Sequence, residues 1–256
     1  MTTDDEDLWI RNYHPAAPGS PRLVCLPHAG GSASFYFPVS RALAPDVEVL
    51  AIQYPGRQDR RTEPSETDLH ELARRIFGVL RGRADQPLAL FGHSMGASLA
   101  FEVARLLEHE EGVVPLWLFA SGRRAPSRVR DERVHQEDDD GLIRELRRLS
   151  GTNGDLLGDE EVLRMILPAI RADYTAAETY RCRPGPPLSC PVTVFVGDAD
   201  PKVTLDEARS WREHTTGAFD FHTYAGGHFY LTGHQAAVLR VMAAQLGTHR
   251  ARPVAV

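Results

Sequence analysis

The chain has 256 residues, of which 42% are hydrophobic and 25% charged, and its formal net charge is −6. That is enough apolar material for one large core, and α/β units of this length commonly fold whole, so a single domain over residues 1–256 is expected. The acidic balance gives no ground for a general nucleic-acid binder or an anionic-membrane binder, and no apolar run reaches membrane-spanning length.

The first seven residues, Met1 to Asp7, are acidic and contain no apolar stretch of the kind a secretory signal needs. The three cysteines, Cys25, Cys182 and Cys190, lack metal-ligand or CxxC spacing. An odd count without a framework argues for a reducing compartment, so a cytoplasmic protein is expected. Cys25 falls in an apolar run and reads as a buried, inert thiol.

Residues 1–21 are polar and proline-bearing, with Trp9 as their one anchor. Leu23–Pro27 reads as a first central strand and leads into a glycine loop, His28-Ala29-Gly30-Gly31-Ser32. A second strand over Val47–Ile52 ends in Gln53-Tyr54-Pro55-Gly56-Arg57. Leu69, Leu72, Ile76 and Leu80 give helical spacing to Asp68–Leu80. A short apolar strand over 88–91 then meets a helix from Met95 to Glu111, closed by Gly112, and Leu116–Ala120 is the next strand. Strands alternating with helices in this way specify a parallel, doubly wound α/β sheet.

From about Ala125 to Leu188 the strand rhythm stops. Leu142, Ile143, Leu146 and Leu149 mark one helix, and Asp159–Tyr180 a second, bent where Pro168 removes a backbone donor. An insertion of this size between sheet strands reads as a helical lid. The sheet resumes over Val192–Val196, followed by a helix over Leu205–His214, a strand over Phe219–Tyr224 and a last helix over Gln235–Leu246. The final ten residues read as frayed.

The stretch Gly92-His93-Ser94-Met95-Gly96 carries the chemistry. Gly-x-Ser-x-Gly between a strand and a helix is a nucleophile elbow, which lifts the serine hydroxyl clear of the sheet's carboxyl edge. A serine is a weak nucleophile until a base takes its proton and a carboxylate orients that base. Of the eleven histidines, His228 follows a late strand in a glycine-flanked loop and is the expected base. Asp198 and Asp200 both stand after the preceding strand. Asp200 has the reach to meet His228, whereas Asp198 can serve its own turn, and Asp200 is preferred with Asp198 as the alternative. For the oxyanion, Met95 supplies one amide and Ala29 or Gly30 the other. Walker, dinucleotide and zinc motifs are absent, so neither metal nor cofactor is expected.

These motifs, from the glycine loop and Gln-Tyr-Pro-Gly-Arg to the elbow and Gly226-Gly227-His228-Phe229, resemble the type II, stand-alone thioesterases of polyketide and non-ribosomal peptide synthases. The resemblance spans nearly the whole chain. It implies an α/β-hydrolase fold with a mobile lid, the triad Ser94, Asp200 and His228, and oxyanion donors Ala29 and Met95. It also implies removal of stalled or aberrant acyl groups from the phosphopantetheine thiol of acyl carrier proteins, which are the expected partners of a protein acting as a monomer. Such carriers are acidic, so a local positive surface is expected at Arg57, Arg60 and Arg61 and at Arg123, Arg124, Arg128 and Arg130. The bland reading is that these arginines are simply solvated. The competing functions are a general carboxylesterase on small esters and a hydrolase-fold binding protein without catalysis.

Overall fold

Strands that are apolar on both sides need cover on both faces, and the central strands of this chain are apolar almost throughout. A computed structural model describes residues 8–83, 86–150 and 160–247. Its strands are β1 (Ile10–Arg11), β2 (Arg22–Leu26), β3 (Glu48–Ile52), β4 (Leu88–His93), β5 (Trp117–Ser121), β6 (Val192–Gly197) and β7 (Phe219–Tyr224). They form one seven-stranded sheet in the order β1-β3-β2-β4-β5-β6-β7. Every neighbouring pair is parallel except β1 and β3, which pair antiparallel through Ile10↔Ile52 and Arg11↔Ala51. This is the α/β-hydrolase class of fold.

The helices are α1 (Phe37–Leu43), α2 (Leu69–Leu80), α3 (Met95–Glu110), α4 (Asp139–Ser150), α5 (Glu160–Thr179), α6 (Leu205–Arg209), α7 (Tyr230–Gly233) and α8 (Gln235–Gln245). Side chains along a strand alternate between faces, and the two cores follow that period of two. On β2, Leu23 and Cys25 join the core under α1 and α8, while Val24 and Leu26 join the core under α2 and α3. Val49 and Ala51 of β3 divide from Leu50 and Ile52 in the same way. A one-residue slip would exchange both sets, so the register is firmly specified. Cys25 is fully buried in this arrangement and its thiol is pushed far up by that burial, which leaves it inert.

Between β5 and β6, α4 and α5 build a small core of their own from Leu142, Ile143, Leu163, Leu167, Ile170 and Tyr174. No strand interrupts them among the described residues, and the segment returns to the sheet where Leu188 bridges Thr215. The helix α5 continues through Pro168. No helix among the described residues is long and apolar enough to cross a membrane.

Several elements differ from their sequence signals. β1 is two residues long, too short for any periodicity to register. α1 carries Pro38 in its first turn, where the missing donor costs nothing, and is entered from a 3-10 turn over Ala33–Tyr36. The helix expected over 205–214 is α only to Arg209 and tightens to 3-10 over Ser210–His214. The acidic start of the chain, the expected helix start at Asp159 and the fray beyond Gly247 lie outside the described residues.

Candidate active site

Ser94 sits between the last residue of β4 and the first of α3 with φ +55° and ψ −118°, a strained conformation for a residue with a side chain. The strain is held from both sides: Ser94 N donates to Ser121 O on β5 at 2.8 Å, and Ser94 O accepts from Ala97 N at 3.0 Å. The flanking glycines are dictated by contact. A Cβ on Gly92 would lie 2.0 Å from Gly96 O, and one on Gly96 would lie 2.0 Å from Leu26 O. Strand, helix and the end of β2 therefore touch backbone to backbone around the serine.

His228 follows β7 and is 3% exposed. Its Nδ1 stands 3.0 Å from Asp200 Oδ1 and 2.9 Å from Asp200 Oδ2, and the Asp200 side chain is fully buried. Asp198, the first residue after β6, serves the neighbouring loop instead. Its Oδ1 accepts from Gly226 N at 2.9 Å and its own amide donates to Tyr224 O at 2.8 Å, which ties the β6 and β7 loops together. Of the two candidate carboxylates, the fold brings Asp200 to the histidine. With Nδ1 engaged, His228 Nε2 is the nitrogen left for chemistry. Ser94 and His228 both line one cavity of about 520 Å³.

The glycine loop after β2 forms another wall of that cavity, and its backbone is pinned group by group. Tyr36 and Tyr54 donate their hydroxyls to Leu26 O and Pro27 O at 2.8 and 3.0 Å. Gly31 N donates to His28 O at 2.9 Å, and Ala33 N to Gln53 Oε1 at 2.9 Å. Gly30 N, one of the two amides the sequence offers for an oxyanion, is occupied by Asp173 Oδ2 at 2.7 Å. Ala29 is the amide this arrangement leaves. Met95, as the first residue of α3, has no carbonyl one turn back to bond and stands at the positive end of the helix.

Three imidazoles meet behind the serine. The His93 ring lies 5.0 Å from His228 and 5.9 Å from His28. His93 Nδ1 is 2.9 Å from Ser121 Oγ, which in turn bonds the Tyr230 hydroxyl at 2.7 Å. Burial, with the nearby charges of His228 and Arg57, pushes the His28 imidazole down to about 3. Burial and its two histidine neighbours hold His93 well below the ordinary value as well. Both rings are therefore neutral at physiological pH.

The expected positive surface is corrected by the structure. Arg57 is half-buried and paired with Asp173 of α5 at 2.7 and 2.8 Å. Arg60, 2% exposed, lies 4.2 Å over the Trp9 ring and bonds Glu63 and Gln53 O. Arg123 bonds Ser98 Oγ and Ala177 O, and burial lowers its guanidinium to about 10. Arg124 is 5% exposed and pairs with Glu132 at 2.6 Å, and Arg130 pairs with Glu207. These arginines sit where carboxylates and carbonyls repay their desolvation, so they hold loops rather than face a partner. Arg61 and Arg128 remain exposed, the latter with a bond to Ser210 Oγ at 2.9 Å.

Sequence reasoning missed Asp173 and Lys202. Asp173 falls on the same stripe of α5 as Ala169, Ala176 and Ala177, all buried, and a charge on an apolar stripe is the signal that could have found it. Lys202, the single lysine of the chain, bonds Glu132 at 2.7 Å and Glu145 of α4 at 3.2 Å, and it too lines the cavity. Burial opposes the charge on Glu132, but Lys202 and Arg124 outweigh it and bring that carboxyl down to about 2. Much of the remaining cavity wall is apolar, from Phe35, Leu146, Leu163, Ile170 and Tyr174.

A parallel sheet with a strained serine at the end of a central strand, and a histidine–aspartate pair over the same cavity, defines an α/β-hydrolase. The profile of the thioesterase domain family matches residues 21–246, and the chain belongs to that family and is a thioester hydrolase. It is 54% identical to "Thioesterase PikA5" of Streptomyces venezuelae, over 89% of this chain and 81% of that protein. It is 53% identical to the "Probable cadicidin biosynthesis thioesterase" of Streptomyces griseus, over 100% of this chain and 71% of that protein. The solved structure of the type II thioesterase BorB from the borrelidin biosynthetic cluster superposes with a TM-score of 0.90 at 57% identity, covering 94% of this chain and 98% of that one.

Proposed function

We propose that this thioesterase removes acyl groups from the phosphopantetheine thiol of carrier-protein domains in a polyketide or non-ribosomal peptide synthase, through an acyl-Ser94 intermediate. The observation that carries the reading is the His228–Asp200 pair, held over the same cavity as a serine in the strained elbow. Solved relatives whose names place them in NRPS/PKS biosynthetic pathways support the substrate class.

In this reading Ser94 Oγ attacks the thioester carbonyl while His228 Nε2 takes its proton. The amides of Ala29 and Met95 hold the resulting oxyanion, and such a donor contributes about 2.7–4 kcal/mol in the transition state. The intermediate collapses with cleavage of the carbon–sulfur bond, and His228 returns the proton to the departing thiolate. Water then attacks acyl-Ser94, gives a proton to His228 and releases the carboxylic acid, and Ser94 recovers its proton. Side chains, amides and water suffice for every step, so the route calls for no cofactor of its own. The helices α4 and α5, whose residues form the outer wall, act as a lid that excludes bulk water from the acyl-enzyme.

Intact-mass measurement on a panel of acyl carrier proteins tests the reading: acyl groups should disappear from the carrier, and a trapped adduct should map to Ser94. An adduct on Ser98, Ser121 or a cysteine would overturn it. A carboxylesterase would instead hydrolyse a matched free ester at least as well as the carrier-bound thioester.

A further inference from the structure

The oxyanion loop is held from the lid side by one carboxylate. Asp173 lies two turns from the end of α5, is 1% exposed, and takes the amide of Gly30 at 2.7 Å. The same carboxylate receives both outer nitrogens of Arg57, at 2.7 and 2.8 Å, and Arg57 Nη1 also donates to Gly31 O at 3.0 Å. Asp173 and Arg57 thus grip two consecutive residues of the loop from opposite polarities, one accepting from Gly30 and one donating to Gly31. Arg57 is fixed in turn by Pro55 O at 3.2 Å and lies over the Tyr54 ring at 5.1 Å. Tyr54 is itself the residue whose hydroxyl bonds Pro27 O.

The geometry points to Asp173 and Arg57 as positioning residues for the reaction: together they hold the Ala29–Gly30 and Gly31–Ser32 peptide units, which follow Ala29 in the loop, and so set the direction of Ala29 N toward the oxyanion, and they do so only while α5 lies over the cavity. This rests on the serine mechanism proposed above. Three features favour it over a purely structural ion pair. The pair is made to loop backbone as well as to itself. It occupies the rival amide, Gly30, so a single donor is presented from this loop. And it joins the helix that covers the cavity to the wall that stabilises the transition state. Burial alone would press Arg57 toward neutrality, but Asp173 outweighs it and keeps the guanidinium charged.

Such a role has a signature that fold maintenance lacks. Removing one partner would strand a buried charge, so the informative variant removes both: Arg57→Met with Asp173→Leu, an exchange buried pairs tolerate. Asp173→Asn is the companion, since it keeps an acceptor for Gly30 N but weakens the grip on Arg57. With a small acyl thioester, the double variant should lose about 10- to 100-fold in kcat with KM within about three-fold, because a misaimed donor matters mainly in the transition state. Affinity for a trifluoromethyl ketone analogue, which forms a hemiketal oxyanion on Ser94, should fall by the same factor as kcat/KM. Asp173→Asn should lie between. A folded double variant with unaltered kcat and unaltered ketone affinity would overturn the positioning role alone. Failure of the ketone to form an adduct on Ser94 in the unaltered protein would overturn the nucleophile reading, and this inference with it.

Discussion

The backbone amide of Lys202 donates to Asp200 Oδ1 at 2.8 Å, on the same carboxylate that faces His228. The carboxylate is thereby aimed by the loop that carries it, and the ammonium group of the same lysine reaches Glu132 and Glu145. One residue links the orientation of the histidine's partner to the base of the helical segment above the cavity.

Asp200 and Asp198 should separate sharply on substitution. Asp200→Asn should lower turnover by up to about 10⁴-fold, through loss of the histidine tautomer that leaves Nε2 free to accept a proton. Asp198→Asn should act mainly on stability, because its carboxylate serves Gly226 N in the neighbouring loop. Steady-state rates measured beside thermal melts decide the matter, and the opposite ranking in two folded variants would reassign the acid.

Acid should loosen the Lys202 cluster. The folded Glu132 carboxyl titrates at about 2 against an ordinary 4.5, so the unfolded chain binds its proton first. The stabilisation is complete above about pH 4.5 and is lost as pH falls toward 2. Glu132→Gln should therefore melt below the unaltered protein at pH 6, and calorimetry should show the two curves converging as the pH is lowered through that window. A constant gap would mean that Glu132 stabilises by packing rather than by charge.

Gly92→Ala should fail as a folded enzyme more severely than an ordinary core substitution. The added methyl would meet Gly96 O at 2.0 Å, and a backbone carbonyl of α3 cannot turn aside as a side chain could. The cost should reach or exceed the about 1–3 kcal/mol typical of overpacking. Soluble yield and melting temperature are the readouts, and a stable, active variant would contradict the close approach.

Charge reversal at Arg124 should impair the fold and not merely the encounter with a partner. Glutamate there would face Glu132 across 2.6 Å in a site that is 5% exposed, and breaking a buried pair costs about 3–5 kcal/mol. Hydrolysis of a carrier-bound thioester and of a small uncharged one should fall together. Arg61, which is exposed, is the position at which reversal can be read as a change in encounter.

What was legible in the sequence is what depends on local pattern. Alternating strands and amphipathic helices announced the parallel sheet, and the elbow announced itself because strand, glycine, serine, glycine and helix are contiguous. The preference for Asp200 over Asp198 rested on reach along one loop, and the two carboxylates do divide in that direction. Arginine function was not legible. Arg57 and Arg124 look like solvated charges in a line of text, and only the fold brings Asp173, 116 positions away, to the first and buries the second beside Glu132. Arg57 also shows why the oxyanion loop's support was hidden: the contact joins three segments that no spacing rule connects.

The short strand β1 bears on how the molecule behaves in the company of its own copies. By pairing with Ala51 and Ile52 it covers the outward backbone at the end of β3, a strand whose residues Val49 to Ile52 are all buried. Left bare, such a strand is a template for edge-to-edge association. The opposite border, β7, is blunted by chemistry instead, since Asp220 is exposed there and bonds both His222 and Gln245. One margin of the sheet is thus sealed by two residues of chain and the other by charge. Proteolytic trimming past Arg11 would leave the residues that line the catalytic cavity in the chain while baring β3 as a template for edge-to-edge association.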